Sequence, residues 1–335
     1  MKVIIPLAGF GKRMRPQTWS KPKPLLNVAG KAILGHVLDK FAALDVEEVV
    51  FIVGWLGDQI KEYVDEFYDL NAHYVVQDEL KGQAHALYLA KEHLSGPCVI
   101  AFVDTLFEAD LSSLQGTDVD GTIFVQRVTD PRRFGVVVEQ YGRITRLIEK
   151  PEGFEHRKAM IGLYYVGEGK DLINAIEYLM AQNIQTKGEF YLADALQIMI
   201  DRGARFISQQ VSVWEDCGKP ETLLHTNRYL LAHGYAKETP VTNSTLIPPV
   251  YIADTAQIEA SVIGPHVTIC DGVHVKGCII QDSIIEAGTT IEHMAIRGSL
   301  IGRNVSLQGK LARLNIGDND IIDLSDEIPQ HAREG

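Results

Sequence analysis

The chain lacks any long hydrophobic run. No stretch approaches the roughly 18 apolar residues of a membrane-spanning helix, so no membrane segment is expected. Cysteine is sparse: Cys98, Cys217, Cys270 and Cys278 form neither a Cys-x-x-Cys pair nor a zinc-type cluster with histidine. That excludes a disulfide scaffold and a zinc finger, and fits reduced thiols in a cytoplasmic protein. A cleavable leader is not expected either, because the apolar start at residues 1–7 is short and a Gly/Lys/Arg loop follows it at once. An excess of positive charge is also missing. Lys and Arg number 32 against 44 Asp and Glu, a net charge of −12, which excludes extended nucleic acid as a partner because phosphate-backbone binding needs a basic footprint. The most local absence is of acid. Residues 1–38 hold no Asp or Glu, yet carry seven cations: Lys2, Lys12, Arg13, Arg15, Lys21, Lys23 and Lys31.

With 335 residues the chain is long enough for about two domains with a large core. Its first two thirds alternate short unbroken apolar runs (residues 3–7, 49–53 and 99–103) with amphipathic helical patterns (31–44, 58–67 and 82–93). That alternation predicts an α/β fold, a doubly wound, mostly parallel sheet covered on both faces. Residues 121–148 instead predict strands at 122–128, 135–139 and 144–148, with a hairpin tip at Tyr141-Gly142-Arg143, as an antiparallel insertion. Helical patterns return at 170–182 and 192–202.

Residues 234–248, with Thr239-Pro240 inside and Pro248-Pro249 where it ends, and polar residues between them, are expected to be a linker between residues 1–233 and the rest. From 249 to 309 apolar residues recur at roughly six-residue spacing: Ile252, Ile258, Ile263, Ile269, Val275, Ile279, Ile285 and Ile291, with doublets at Ile279-Ile280, Ile284-Ile285 and Leu300-Ile301. The pattern resembles hexapeptide repeats and predicts a short left-handed parallel β-helix of about three coils. A β-sandwich is the alternative. Residues 310–335 are expected to be an acidic tail.

The basic opening contains Gly9 and Gly11 directly after an apolar strand, where backbone N–H groups can approach an anion. Neither the dinucleotide fingerprint nor the G-x-x-x-x-G-K-[ST] loop fits. The cations of the loop, and Lys23 clamped between Pro22 and Pro24, predict a cradle for one small, highly charged ligand rather than a solvated surface.

Residues 9–28 resemble the signature of sugar-1-phosphate nucleotidyltransferases through Gly9, Gly11, Arg13, Met14, Pro16, Thr18, Pro22, Lys23 and Leu25; Lys12 and Asn27 depart from it. The resemblance extends over residues 1–233 and implies a Rossmann-like nucleotidyltransferase domain. It implies attack by a sugar 1-phosphate on the α-phosphorus of a nucleoside triphosphate, with catalysis by positioning and charge neutralisation. Arg13 and Lys23 are its catalytic candidates, with Lys12 and Arg15 as helpers. Leu7, Ala8, Gly9, Gly11, Lys12, Gln77 and Gly82 are the nucleotide-binding candidates, with Gln83 as a helper. Gly135, Glu149, Lys150, Tyr164 and Glu189 are the sugar-phosphate candidates, Tyr164 being equally readable as a core aromatic. Mg²⁺ is implied, held by Asp104 at the end of an apolar run and by Asp216 in Trp214-Glu215-Asp216-Cys217-Gly218. Thr105 stands where the family carries Asn.

The expected products are dTDP-glucose or UDP-glucose, because Gln77 matches pyrimidine-preferring members. GDP-mannose synthesis is the enzyme alternative. An acyltransferase using His266, His274 or His293, and a non-catalytic regulatory homologue, are the other readings. Assembly into a homo-oligomer through the β-helix is expected.

Overall fold

The computed structural model describes residues 1–114 and 116–310. The tail expected at 310–335 lies, but for Lys310, outside the described residues. The main strands of the first domain are β1 (Lys2–Pro6), β2 (Glu48–Val53), β3 (Ala72–Val76), β4 (Cys98–Ala101), β5 (Thr105–Glu108), β6 (Gly121–Arg127), β7 (Gly135–Gln140), β8 (Arg143–Glu149), β9 (Lys158–Val166), β10 (Phe206–Gln210) and β11 (Val213–Asp216). The helices are α1 (Ile33–Asp39), α2 (Gly57–Phe67), α3 (Gln83–Leu89), α4 (Gly169–Ala181), α5 (Leu192–Asp201) and α6 (Pro220–Leu230).

One mixed sheet runs in the order β8-β7-β9-β4-β1-β2-β3, with β6 beside β9 and β10 beside β6. The strands β4, β1, β2 and β3 are parallel. Alternation along each strand feeds two separate cores. Val3 and Ile5 of β1 pack with α1 and α2 on one face; Ile4 packs with α3, α4 and α5 on the other. This is the two-sided burial that the unbroken apolar runs require. The antiparallel strands are not a separate insertion: β9 pairs antiparallel with β4 and carries the sheet onward. Tyr141 and Gly142, both at positive φ (50° and 75°), make the two-residue turn of the β7–β8 hairpin.

The C-terminal part is a left-handed parallel β-helix with three faces, each a stack of four short parallel strands. Successive coils advance by 17 and then 16 residues, as in Gln257↔His274 and His274↔Thr290. The segment expected as a linker belongs to this stack. Lys237 bridges to Tyr251, Thr242 to Glu259, and Thr245–Leu246 pairs with Val262–Ile263. It therefore supplies a first coil that the sequence count omitted.

The apolar doublets have a reason that spacing alone did not reveal. One residue fills the β-helix and its neighbour points outward. Ile280 is buried inside and Ile279 is 52% exposed, the reverse of the expected assignment. In the other two doublets the outward residue meets the first domain: Ile285 lies in the β-helix core and Ile301 packs against it, while Ile284 and Leu300 pack with the first-domain core. Polar contacts join the same face. Asn227 is fully buried; its Oδ1 accepts from Ala29 N (2.8 Å) and Thr268 Oγ1 (2.7 Å). Arg228 makes a two-pronged pair with Asp282, both bonds 2.6 Å. All four cysteines are free and buried. Among the described residues no helix is long and apolar enough to cross a membrane.

Candidate active site

The carboxyl ends of β1 and β4 open onto a cleft of about 430 Å³, the place where open α/β sheets bind ligands. Leu7, Ala8, Gly9, Gly11, Lys12, Arg13, Lys23, Gln77, Gly82, Gln83, Asp104 and Glu189 all line it. The loop after β1 is shaped by local rules. Gly11 sits at φ +60°, and a Cβ there would press on Lys23 Cβ and Thr18 Cγ2 at 3.1 Å. Thr18 Oγ1 donates to Gly11 O at 2.9 Å, and the fully buried Met14 anchors the short turn Lys12–Met14. Gly9 is the opposite case: its missing side chain faces open space in the cleft.

The seven cations do not act as one cradle. Lys12, Arg13 and Lys23 line the cleft. Arg15, expected as a helper, stacks on Trp19 at 3.8 Å. Lys21 pairs with Glu286 of the β-helix, Lys31 with Asp39, and Lys2 with Glu48. Neutralisation by acids distant in sequence left only part of the local charge for a ligand.

Lys23 stands in a short turn entered through the buried Pro22, with Leu26 N donating to its carbonyl at 3.0 Å. Burial lowers its pKa, with nearby Arg13 adding to that, while Asp104, Cys217 and Asp216 raise it. Those opposing influences put Lys23, Arg13 and both carboxylates in one electrostatic neighbourhood. Asp216 does not line the cleft surface; it lies behind Gly218, whose N–H donates to its Oδ1 at 2.6 Å. Arg13 passes over that glycine, its Nη2 only 3.3 Å from where a Cβ would stand.

Asp104 and Asp216 come together because β5 and β11 pair antiparallel, setting Asp216 opposite Thr105. Cys217 N donates to Asp104 O at 2.9 Å. Asp104 is exposed, and its carboxylate has no hydrogen bond among the described residues. Two carboxylates on adjoining backbones, one of them free, are an all-oxygen donor set that suits a hard divalent cation such as Mg²⁺. Thr105 has a structural use: its hydroxyl donates to Ile161 O at 3.1 Å and is buried.

Gln77 is buried at 5% exposure beside the cleft. Its Nε2 approaches Gly82 O at 3.4 Å and His85 Nδ1 at 3.2 Å. The amide donor is thus spent inside the protein, and Oε1 has no partner among the described residues. His85, the third residue of α3, was missed by the sequence reading. Burial lowers its pKa, with Lys81 adding to that, which favours the neutral imidazole that can accept at Nδ1. Gly82, at φ +109°, is required by close approach: a Cβ would lie 2.5 Å from Phe190 O. His85→Ala is expected to free the Gln77 amide to rotate and to raise KM for the ligand that meets Gln77 ~3- to 10-fold with little change in kcat, the worth of one hydrogen bond. Steady-state kinetics checks this.

Gly135, Glu149, Lys150 and Tyr164 are not part of the cleft lining, but they gather next to it. The β7–β8 register sets Glu149 opposite Gly135, and a Cβ on Gly135 would meet Glu149 Oε2 at 2.9 Å and Met160 Cε at 2.3 Å. Lys150, at φ +50°, lies 3.6 Å from Glu149 Oε1. Tyr164 is a core residue at 6% exposure, edge-on to Phe102. Its phenol is pushed well above the ordinary tyrosine range by burial and then by Glu149 and Asp104. Glu189 follows the Lys187-Gly188 turn, both residues at positive φ. Tyr191, two residues on, is influenced by Glu149 and Glu189 alike after burial, raising its pKa. Glu149 and Glu189 thus share one neighbourhood at the side of the cationic cleft.

A glycine loop, three cations and one cleft carboxylate at the carboxyl edge of a parallel sheet, with a second carboxylate on the adjoining strand, define an α/β enzyme class that handles phosphorylated ligands. Within it the assignment is direct: residues 2–233 match the Nucleotidyl transferase family, and the chain belongs to that family, which acts on nucleoside triphosphates and sugar 1-phosphates. Residues 225–291 match the GlmU-like C-terminal hexapeptide family. The chain is similar to a glucose-1-phosphate thymidylyltransferase of Streptomyces antibioticus, 29% identical across 97% of this chain and 99% of that protein. It is 32% identical to the UTP–glucose-1-phosphate uridylyltransferase AglF of Haloferax volcanii over 66% of this chain and 93% of the other. A solved UDP-glucose pyrophosphorylase, crystallised with UDP-glucose, shares the fold at TM-score 0.60 and 20% identity, over 69% of this chain and 98% of that one.

Proposed function

We propose that the chain joins dTTP or UTP to glucose 1-phosphate, giving dTDP-glucose or UDP-glucose and pyrophosphate with Mg²⁺ present. The observation that carries the choice of base is Gln77: with its N–H groups engaged by Gly82 and His85, it offers an acceptor to the imide N–H of a thymine or uracil. The names of the two curated relatives point to the same pair of bases.

In the proposed reaction a phosphate oxygen of the sugar 1-phosphate forms a bond to the α-phosphorus as the bond from that phosphorus to the bridging oxygen breaks, and pyrophosphate leaves. No protein nucleophile takes part. Lys23 neutralises charge at the reacting phosphates, and Arg13 grips the departing pyrophosphate with a planar fork. The Gly9–Arg13 loop turns backbone N–H groups to the triphosphate. Glu149 and Glu189 accept hydroxyls of the sugar, Gly135 leaves room for Glu149, and Lys150 holds the sugar phosphate. Asp104 and Asp216 would hold a Mg²⁺, which would supply charge neutralisation for the triphosphate.

The test is pyrophosphate release from a matrix of four or more nucleoside triphosphates and several sugar 1-phosphates with Mg²⁺. Turnover is expected to be highest with glucose 1-phosphate and dTTP or UTP. Turnover confined to GTP with mannose 1-phosphate would overturn the proposal.

A further inference from the structure

At the opposite end of the sheet from the cleft, three metal-ligating side chains converge from separate segments. Glu48 opens β2, His73 is the second residue of β3, and His93 lies in the short turn Lys91–His93 beyond α3. Their candidate ligand atoms all fall within 4.8 Å of one another. His73 Nε2 is 3.6 Å from Glu48 Oε1, and His93 Nδ1 bonds directly to the same oxygen. The two imidazole rings are 4.8 Å apart between centroids. The nucleotidyl-transfer chemistry uses none of these groups, and β1 separates them from the cleft by its whole length, roughly 15 Å at about 3.3 Å per residue.

The geometry points to a binding site for one borderline divalent metal ion such as Zn²⁺, ligated by His73 Nε2, His93 Nδ1 and Glu48 Oε1, with water completing the shell. Ligand atoms around a tetrahedral Zn²⁺ stand roughly 3.3 Å apart when each bond is about 2.0 Å. The His73–Glu48 spacing already suits this. The ion takes the place of the hydrogen bond between His93 Nδ1 and Glu48 Oε1. Two nitrogens and one oxygen select Zn²⁺, Co²⁺ or Ni²⁺ over Mg²⁺, which prefers oxygen donors.

The surroundings supply an outer shell. The second carboxylate oxygen of Glu48 stays 3.4 Å from Lys2 Nζ. Lys2 is in turn tied to His93 O at 2.9 Å and Ser95 Oγ at 3.1 Å, so its charge is held on the far oxygen. Carboxylate ligands oriented through their free oxygen are the usual arrangement at metal sites. The Glu48 side chain is 11% exposed and that of His73 is 43% exposed, giving a rigid floor and a mouth open to water. A bound ion would staple β2, β3 and the turn after α3, strengthening the amino edge of the sheet without entering the reaction.

The test uses the full chain in excess Mg²⁺, titrated with Co²⁺ while visible ligand-field absorption is followed, then with Zn²⁺ as competitor. One Co²⁺ per chain is expected, displaced by Zn²⁺. His73→Ala and His93→Ala should each weaken binding at least ~10-fold, a loss that removal of even an outer partner can cause. Asp104→Asn should keep the absorption. Zn²⁺ should raise the unfolding midpoint of the unmodified chain and leave that of His73→Ala unmoved. Absence of saturable absorption, survival of the absorption in both histidine variants, or its loss in Asp104→Asn would each overturn the site. Nucleotidyl transfer by His73→Ala should match the unmodified chain, so failure of this site is separate from failure of the proposed reaction.

Discussion

Lys23→Ala is expected to lower kcat by roughly 10²- to 10³-fold with the fold intact, the scale of removing one preorganised charged donor. Lys23 cannot wander, because its turn is entered through the buried Pro22 and followed by the buried Pro24. It shares its surroundings with Arg13, Asp104 and Asp216. The pH dependence follows from the sign of its shift. Burial lowers its pKa, so in the free enzyme the cation is lost below the ordinary lysine range. kcat/KM is therefore expected to fall as pH rises through that lowered value. Lys23→Arg should remove this alkaline limb while running more slowly, since guanidinium stays charged but is a fork and not a point charge. Pyrophosphate release measured from neutral to alkaline pH reads both effects. A Lys23→Ala variant with unchanged kcat and raised KM would give Lys23 only uniform binding of ground and transition state, with no part in the chemical step.

Glu286→Ala is expected to be the most destabilising change at the interface of the two domains, by about 3–5 kcal/mol, because it leaves a buried ammonium unpaired. The Glu286 side chain is 8% exposed and that of Lys21 11%; their Oε2–Nζ distance is 2.7 Å. The other carboxylate oxygen accepts from Asn27 N at 3.0 Å. Glu286 thus holds both ends of the segment that carries Lys23. The neighbouring coil adds two contacts, Gln17 Nε2 donating to Leu300 O at 3.1 Å and Arg303 Nη2 donating to Ser20 O at 3.0 Å. The β-helix therefore positions the signature loop as well as covering the first domain. Urea denaturation checks the stability change, and kcat measured below the transition checks the positioning. Lys21→Met combined with Glu286→Leu should recover most of the stability, since it removes both charges and fills the space. Recovery of stability without recovery of kcat would show that the Asn27 N–H contact matters to placement of Lys23.

Much of the fold was legible beforehand. Runs such as Val49–Val53 occur where both faces of a strand are buried, and the observed β2 spans Glu48–Val53. The helix over Leu192–Asp201 differs from its expected end by one residue. What failed, failed for tertiary reasons. The doublet Ile279-Ile280 looks the same from either register, and only coil geometry decides that Ile280 points inward. The stretch with Thr239-Pro240 and Pro248-Pro249 has linker composition, yet the edge of the first full coil offers it unpaired backbone groups. At the site, Gly9, Gly11, Lys12, Arg13, Lys23, Gln77, Gly82, Asp104 and Glu189 reached one cleft. His85 did not stand out, because its use depends on which way the Gln77 amide is turned.

The distribution of charge shows the division most clearly. By itself the sequence determined that the opening segment is basic and glycine-rich, that it follows an apolar strand, and that a repeat of six-residue character occupies residues 249–309. Those properties belong to residue type and spacing, and they carry the family. Tertiary structure decided which cations are available. Lys2, Lys21 and Lys31 meet acids 46, 265 and 8 residues away, Arg15 lies on an indole, and Lys12, Arg13 and Lys23 face the cleft. Coulomb attraction acts through space, so a count along the chain reports charge, while only the folded neighbours determine how much of it a ligand meets.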